Sequence, residues 1–246
     1  MNPAAPHPTL SIVIPLFNEA ENVPLLVPAI RAVLGADPNW LELILVDDGS
    51  RDQTVQITQE FCAGDTRIRL VRHEGNRGLG AAIRTGLQAA NGELVLYTDA
   101  DLPFDFQLIP QLLRLAQPDN IVIGCRNNRG EGGRRWLLSR GYNLLTWLAL
   151  GVRVRDVNFA CKLFPRKAVR GMRLSSEGSF IDAEMLLECR RLGFGIAELP
   201  MTYYPRQLGQ STLSRPGVVW RILLEMLQYL WRRSFFPRWG LTKQAD

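Results

Sequence analysis

Between residues 10 and 126 the sequence switches repeatedly between two hydrophobic periods, and this alternation constrains the fold more than any other feature. LSIVIPLF (10–17) reads as a buried strand, and LELILVDDGS (41–50), IRLVRHE (68–74), ELVLYTDAD (93–101) and NIVIGCR (120–126) as four further strands. ENVPLLVPAIRAVL (21–34), DQTVQITQEFCA (52–63), GLGAAIRTGLQAA (78–90) and DFQLIPQLLRLA (105–116) lie between them with helical spacing. Asn18 reads as the cap of the first helix, with acids in its first turn, and Asn91-Gly92 stops the third. Strands alternating with helices of about 10–15 residues predict a parallel sheet covered on both faces. Ligands of such sheets bind at the carboxyl ends of the strands. Asn18-Glu19, Asp47-Asp48 and the Asp99, Asp101 pair all stand at such ends.

The second half is less regular. NNRGEGGRR (127–135) is a glycine- and arginine-rich loop, and RGYNLLTWLALGV (140–152) is an apolar helix too short to span a bilayer. FIDAEMLLECRRLG (180–193) is a further helix, and GIAELPMTYYPR (195–206) a final strand pair or edge. Residues 217–239 mix tryptophans and bulky aliphatics with Arg221, Glu225, Arg232 and Arg233. No repeat or low-complexity linker divides the chain. Its 246 residues, 46% of them hydrophobic, suit one domain of ordinary size or one domain with a small appendage.

Net charge is +5, and only Lys162, Lys167 and Lys243 among the 29 basic residues are lysines. Arginine suits bidentate phosphate binding, which directs attention to nucleic acid, an anionic membrane or phosphorylated small molecules. Nucleic acid is not expected as a partner. No helix-turn-helix or RNA-binding signature occurs, and aromatic and basic residues do not interleave regularly. The four cysteines, Cys62, Cys125, Cys161 and Cys189, form no CxxC pair, which argues against zinc and suits a reducing compartment. MNPAAPHPTL lacks the basic and apolar regions of a signal peptide, and no run reaches the roughly 18–20 apolar residues of a membrane span. The chain is expected on the cytoplasmic side.

Several groups of residues carry chemistry. Asp99 and Asp101 flank Ala100 at the end of an apolar run, with Pro103 beyond. In a turn both carboxylates converge on one cation. Mg²⁺ or Mn²⁺ is held by one or two carboxylates plus substrate phosphates. The pair also reads as an acidic turn before a helix. Asp47-Asp48-Gly49-Ser50 either offers a carboxylate to a base or ribose or forms a turn with a helix cap. NRGLGAA (76–82) is not a Walker A loop, but its glycines let a backbone approach a ligand where a helix N-terminus favours anions. Arg126, Arg129, Arg134, Arg135, Arg140 and Arg206 either clamp phosphates or form a solvated basic surface. The 217–239 tail either lies in a bilayer interface or packs on the domain or at a dimer contact. Histidine catalysis is not expected, since His7 is in the N-terminal tail and His73 has no obvious nucleophile beside it.

SIVIPLFNEAENV, LILVDDGSRDQT, NRGLGAAIRTGLQAANGELVLYTDADL, IGCR, RRWLLSRG and RQLGQSTLS occur in the order found in family-2 glycosyltransferases. Over about residues 9–215 the chain resembles the dolichyl-phosphate mannose synthases and their bacterial polyprenyl-phosphate relatives. The resemblance implies an α/β, Rossmann-like GT-A fold with a mostly parallel sheet flanked by helices and C-terminal amphipathic interface helices. It divides the chain into a flexible tail (1–8), a GT-A domain (9–215) and an amphipathic membrane-interface tail (216–246). It also implies a GDP- or UDP-hexose donor, a divalent cation (Mg²⁺ or Mn²⁺) and a polyprenyl-phosphate acceptor at the cytoplasmic membrane face.

By the family's pattern Pro15, Phe17 and Glu19 contact the nucleotide, with Phe17 in place of the usual tyrosine. Val46 and Asp48 hold base and ribose, and Asp99, Ala100 and Asp101 bind donor and metal. Arg126 lies on the donor side, Arg135 meets the acceptor phosphate, and Arg206 closes over the donor diphosphate. Two positions depart from the pattern. Pro103 replaces a glutamine that adds a metal ligand in many members, and Thr212 replaces a lysine, for which Arg215 can supply a compensating charge.

The implied chemistry needs no catalytic base, because a lipid phosphate is already ionised at neutral pH. Direct displacement would invert the anomeric carbon, with the metal and Arg206 stabilising the departing diphosphate. Arg135, with Arg140, would orient the acceptor. Asp156 and Asp182 either approach the site or serve the structure. The helix around 142–152 and the tail would rest on the membrane, alone or beside a membrane-anchoring subunit. Two other functions suit the residues: transfer to a soluble or polysaccharide acceptor, although the processive Q-x-x-R-W signature is absent, and non-catalytic nucleotide-sugar binding.

Overall fold

The computed structural model describes residues 9–127 and 151–206, apart from 36, 38 and 152, together with 208, 224–229 and 231. Strands β1 (Leu10–Leu16), β2 (Trp40–Asp47), β3 (Ile68–Arg72), β4 (Leu94–Thr98), β5 (Asn120–Arg126), β6 (Cys161–Pro165) and β7 (Gly195–Met201) form one sheet in the order β3-β2-β1-β4-β6-β5-β7. Helices α1 (Val23–Leu34), α2 (Thr54–Gly64), α3 (Leu79–Ala89) and α4 (Ile109–Leu115) connect the first five strands, α4 following the 3₁₀ turn Phe106–Leu108. Helices α5 (Arg166–Gly171) and α6 (Ile181–Arg191) join β6 to β7.

Successive side chains of a strand point to opposite faces, so each strand feeds two cores. Along β1, Ile12 and Ile14 belong to the core that contains Val23, Leu26 and Ile30 of α1. Val13 belongs to the other, with Ala82, Ile83 and Leu87 of α3 and Ile181 and Met185 of α6. Each such buried side chain contributes roughly 1.5–3 kcal/mol. Gly86 lets α3 lie close on the sheet, since a Cβ there would stand 2.2 Å from Val13 Cγ1.

Four local expectations are corrected. β6 escapes the hydrophobic pattern because Lys162 is the second of its five residues, yet it is fully buried, and β6 runs antiparallel to both β4 and β5. Of the two readings of 195–206 the edge holds and the strand pair does not: the stretch has one strand, β7, which pairs in parallel with β5 at the sheet edge. Asn18 does not cap α1: the helix starts at Val23 after Asn22 and has no acid in its first turn. Asn18 instead adopts a left-handed φ of 56°, its N–H donating to Ser50 Oγ and its Oδ1 accepting from the Arg51 N–H. β4 ends at Thr98, so Asp99 and Asp101 occupy the turn that follows.

The reversed β6 matters for the site. Thr98, the last residue of β4, pairs with Cys161, the first of β6. The segment entering β6 therefore shares an edge with the carboxyl ends of β1, β2, β4, β5 and β7.

Candidate active site

At the centre of that edge, β1 and β2 end in register, with Pro15 opposite Val46 and Leu16 opposite Asp47. Pro15 and Val46 are buried and Phe17 is half-buried just beyond them. Glu19 follows, buried. Its carboxylate accepts from Asn22 Nδ2 at 2.6 Å and from Arg206 Nη2 at 2.7 and 2.6 Å. Burial pushes the Glu19 carboxyl above its ordinary value and the Asp101 charge adds to the rise, while Asn22 and Arg206 oppose it. Arg206 Nε also donates to the Leu208 carbonyl at 2.7 Å. The segment carrying Arg206 is tied to the acidic motif, because Tyr204 N–H donates to the Pro103 carbonyl at 3.0 Å.

The motif itself turns sharply. Leu102 takes a left-handed φ of 51°, a conformation that costs a non-glycine residue about 1–3 kcal/mol. Ala100 is buried beneath the turn, and Asp99 and Asp101 are partly exposed. The Asp99 carboxyl is pushed up to about 7, chiefly by burial and then by the charges of Asp101 and Asp182. Tyr97 and Lys162 act in the opposite direction. Tyr97, itself buried, donates its O–H to Asp99 Oδ1 at 3.0 Å. The two carboxylates of the turn thus repel each other. Among the described residues no cluster of three His, Cys, Asp or Glu side chains could hold a metal.

Asp48 is differently placed. Its Oδ1 contacts His73 Nδ1 at 2.7 Å and accepts the Arg77 N–H at 2.9 Å, and its Oδ2 accepts the Gly78 N–H at 2.8 Å. His73 Nε2 meets Thr85 Oγ1 at 2.9 Å. The 76–78 loop that delivers those amides depends on Gly78, whose φ is 94° and whose Cβ would lie 2.3 Å from the Glu177 carbonyl oxygen. Arg126, at the end of β5, grips Asp156: Nε donates to Oδ2 at 2.6 Å and Nη2 to Oδ1 at 3.1 Å. Its guanidinium stands 5.2 Å from the centre of the Tyr203 ring.

The expected site residues thus fall into groups. Glu19, Asp99, Ala100, Asp101 and Arg206 come together, beside the strand ends that carry Pro15, Phe17 and Val46. Asp48 is bound into the β3–α3 loop, and Arg126 into a pair with Asp156. Arg129, Arg134, Arg135, Arg140, Thr212 and Arg215 lie outside the described residues. Two buried residues beside the motif, Tyr97 and Lys162, were not singled out from the sequence. The signal was there in Lys162, a lysine between apolar neighbours.

Comparison with known proteins follows this geometry. The profile of Glycosyl transferase family 2 matches residues 11–172, and the chain belongs to that family. It is a glycosyltransferase. The dodecaprenyl-phosphate galacturonate synthase of Rhizobium johnstonii is 30% identical over 240 residues, 94% of this chain and 69% of that protein. Human dolichyl-phosphate beta-glucosyltransferase is 29% identical over 221 residues, 81% of this chain and 68% of that one. Glycosyltransferase AglD of Haloferax volcanii is 28% identical over 93% of this chain, which spans only 38% of that protein's length. Glucosyl-3-phosphoglycerate synthase from Mycobacterium tuberculosis, solved with Mn²⁺, UDP and glucosyl-3-phosphoglycerate, superposes with a TM-score of 0.70 at 22% identity. That match covers 95% of this chain and 82% of the other, and identifies the GT-A fold.

Proposed function

We propose that the chain transfers a hexosyl group, mannosyl or glucosyl in the first instance, from a GDP- or UDP-sugar to a polyprenyl phosphate at the cytoplasmic face of the membrane, with inversion. The observation that carries this reading is the convergence of Glu19, Arg206, Asp99 and Asp101 at the carboxyl edge of a family-2 sheet. Two relatives named for dodecaprenyl-phosphate and dolichyl-phosphate support the acceptor class, and the former, named for galacturonate, adds a uronic acid to the donors worth testing.

The donor set suits Mg²⁺ or Mn²⁺. Asp99 and Asp101 offer hard oxygens, and the rise of Asp99 to about 7 marks a pair that a divalent cation would relieve. When bound, such a cation supplies Lewis-acid stabilisation to a departing diphosphate. Pro103 provides no side-chain oxygen, so donor phosphates and water would complete the shell. Arg206, held by Glu19 beside the motif, is placed to exchange that carboxylate for a phosphate. Pro15, Phe17, Val46 and Asp48 would frame the nucleotide on the β1 and β2 side, and Arg126 would bound the sugar on the β5 side. Arg135 would fix the acceptor phosphate, whose charge at neutral pH makes a general base unnecessary.

The acceptor's lipid chain calls for a surface that meets a membrane. No helix among the described residues is long and apolar enough to cross one. The helical residues 224–229 dock on the segment that leads into α6: Met226 is buried, the Tyr229 ring centre lies 5.8 Å from that of Phe180, and Glu225 accepts the N–H groups of Gly178 and Phe180 at 2.9 and 3.3 Å. Leu224, Leu227 and Trp231 remain 48%, 58% and 61% exposed. Their spacing places them along one stripe, which supports an interfacial role for the 216–246 tail, alone or beside a membrane-anchoring subunit.

Incubation with labelled GDP-mannose, UDP-glucose or UDP-galacturonate, a short polyprenyl phosphate and Mg²⁺ or Mn²⁺ tests the reading. The expected result is solvent-extractable label that disappears on chelation. Transfer only to soluble or polysaccharide acceptors, or no transfer from any of these donors, would count against it.

A further inference from the structure

Beneath the acidic turn runs a buried polar chain that the reaction as written does not use. Lys162, the second residue of β6, stands directly opposite Tyr97 of β4 and Ile123 of β5 and is fully buried. Its Nζ donates to the Phe159 carbonyl at 2.9 Å and to the Asp182 carboxylate on α6. It also lies 5.5 Å from the centre of the Tyr97 ring. The three ammonium protons thereby have a carbonyl, a carboxylate and an aromatic face as partners. Tyr97 carries the chain upward, its hydroxyl donating to Asp99 Oδ1.

Stability alone is a poor account of this arrangement. Replacing a buried ion pair by apolar residues of similar volume is often neutral or stabilising. Nor is Asp182 placed as a base: it is buried, it is engaged by Lys162, and an ionised acceptor phosphate needs none. We propose that Lys162 and Asp182 are positioning residues that, through Tyr97, hold Asp99 in the orientation that receives the donor-bound cation. Lys162 fixes the tyrosine ring from one side, and the phenol hydroxyl fixes one carboxylate oxygen, leaving Oδ2 to face the cation. This rests on the reading of Asp99 and Asp101 as cation ligands. It assigns to residues outside the motif the task that hydrogen-bond partners behind metal ligands commonly perform.

Two full-length variants test it: Tyr97→Phe, which keeps the ring and removes only the hydroxyl, and the double variant Lys162→Met with Asp182→Leu, which removes the ion pair. Mn²⁺ binding is read by electron paramagnetic resonance in the presence of UDP or GDP, without turnover. We expect both variants to raise the Kd for Mn²⁺ by roughly 10–100-fold. Melting in EDTA should stay within about 5 °C of the parent, and the lost initial rate should return as Mn²⁺ is raised. A purely structural role would lower the melting temperature and leave the Mn²⁺ affinity alone. Folded variants that bind Mn²⁺ as tightly as the parent overturn the proposal. Should the double variant fail to fold, Tyr97→Phe decides alone. A parent that binds no Mn²⁺ with either nucleotide overturns the cation reading and this inference together, whereas a binding parent with unaffected variants overturns this inference only.

Discussion

Asp48 and the Asp99, Asp101 pair occupy equivalent places, each at the carboxyl end of a parallel strand, and their surroundings are opposite. Asp48 is met by two backbone N–H groups and by His73. Its oxygens are occupied by the protein. Asp99 has one hydroxyl donor, Tyr97, and faces the like charges of Asp101 and Asp182 in a desolvated turn. A carboxylate satisfied by amides ties loops together. A carboxylate raised by burial and by the like charges of its neighbours is the better candidate for a cation ligand. Position along a strand finds both, and only the donors around each tell them apart.

The contrast can be broken by substitution, and the largest effect belongs to the turn. Asp101→Ala should lower sugar transfer by roughly 10³-fold, corresponding to the several kcal/mol that a Lewis acid contributes to a transition state. Melting of the metal-free protein should hardly move. Transfer at the parental rate would remove the cation from the reaction. Asp48→Ala should do the reverse to the fold. Leaving Arg77 N–H, Gly78 N–H and His73 without their acceptor costs about 3 kcal/mol. Calorimetry should show that loss as a fall of about 6–12 °C in Tm, and an unchanged Tm would show the knot to be unimportant. Next comes Arg206→Lys, which keeps the charge but loses the planar fork. A rise of roughly tenfold in KM for the donor, with kcat affected less, is the expected outcome; an unaltered KM would place Arg206 away from the diphosphate.

The smallest effect concerns pH. The folded-state value of Asp99 is raised to about 7 from an ordinary 3.8. Its contribution to stability is therefore fully present below about 3.8 and is lost as pH rises through about 7. The metal-free parent should lose a few degrees of Tm between pH 5.5 and 8 from this source, and Asp99→Asn should lose less. Parallel melting curves in EDTA for parent and variant would show that Asp99 titrates unremarkably.

Much of the fold could be read from the chain because a sheet covered on both faces leaves continuous apolar runs separated by helical spacing. β1, β4 and β5 have that form most clearly. β6 does not, because Lys162 interrupts it, and the partners that make a buried lysine tolerable are remote: Asp182 is 20 residues away and Tyr97 lies on another strand. The candidate site divides in the same way. Asp99, Asp101, Glu19 and Arg206 were recognisable from an ordered set of motifs. That Glu19 and Arg206, 187 residues apart, would share a bond was not. Asp48 was recognisable as an acid at a strand end, but its engagement by amides 29 and 30 residues onward was hidden. Asn18 was misassigned because its left-handed φ lets it serve the β2–α2 loop rather than a helix. Short-range pattern locates residues, whereas the competition for each donor and acceptor is settled by contacts the pattern does not contain.

The reversed direction of β6 has a consequence of its own. β5 ends at Arg126 and its sheet neighbour β6 begins at Cys161, so the intervening connection leaves and re-enters the sheet at the same edge. Neighbouring strands stand about 4.8 Å apart. The points at which the chain leaves β5 and enters β6 are therefore fixed by strand pairing, side by side and next to the acidic turn that follows Thr98.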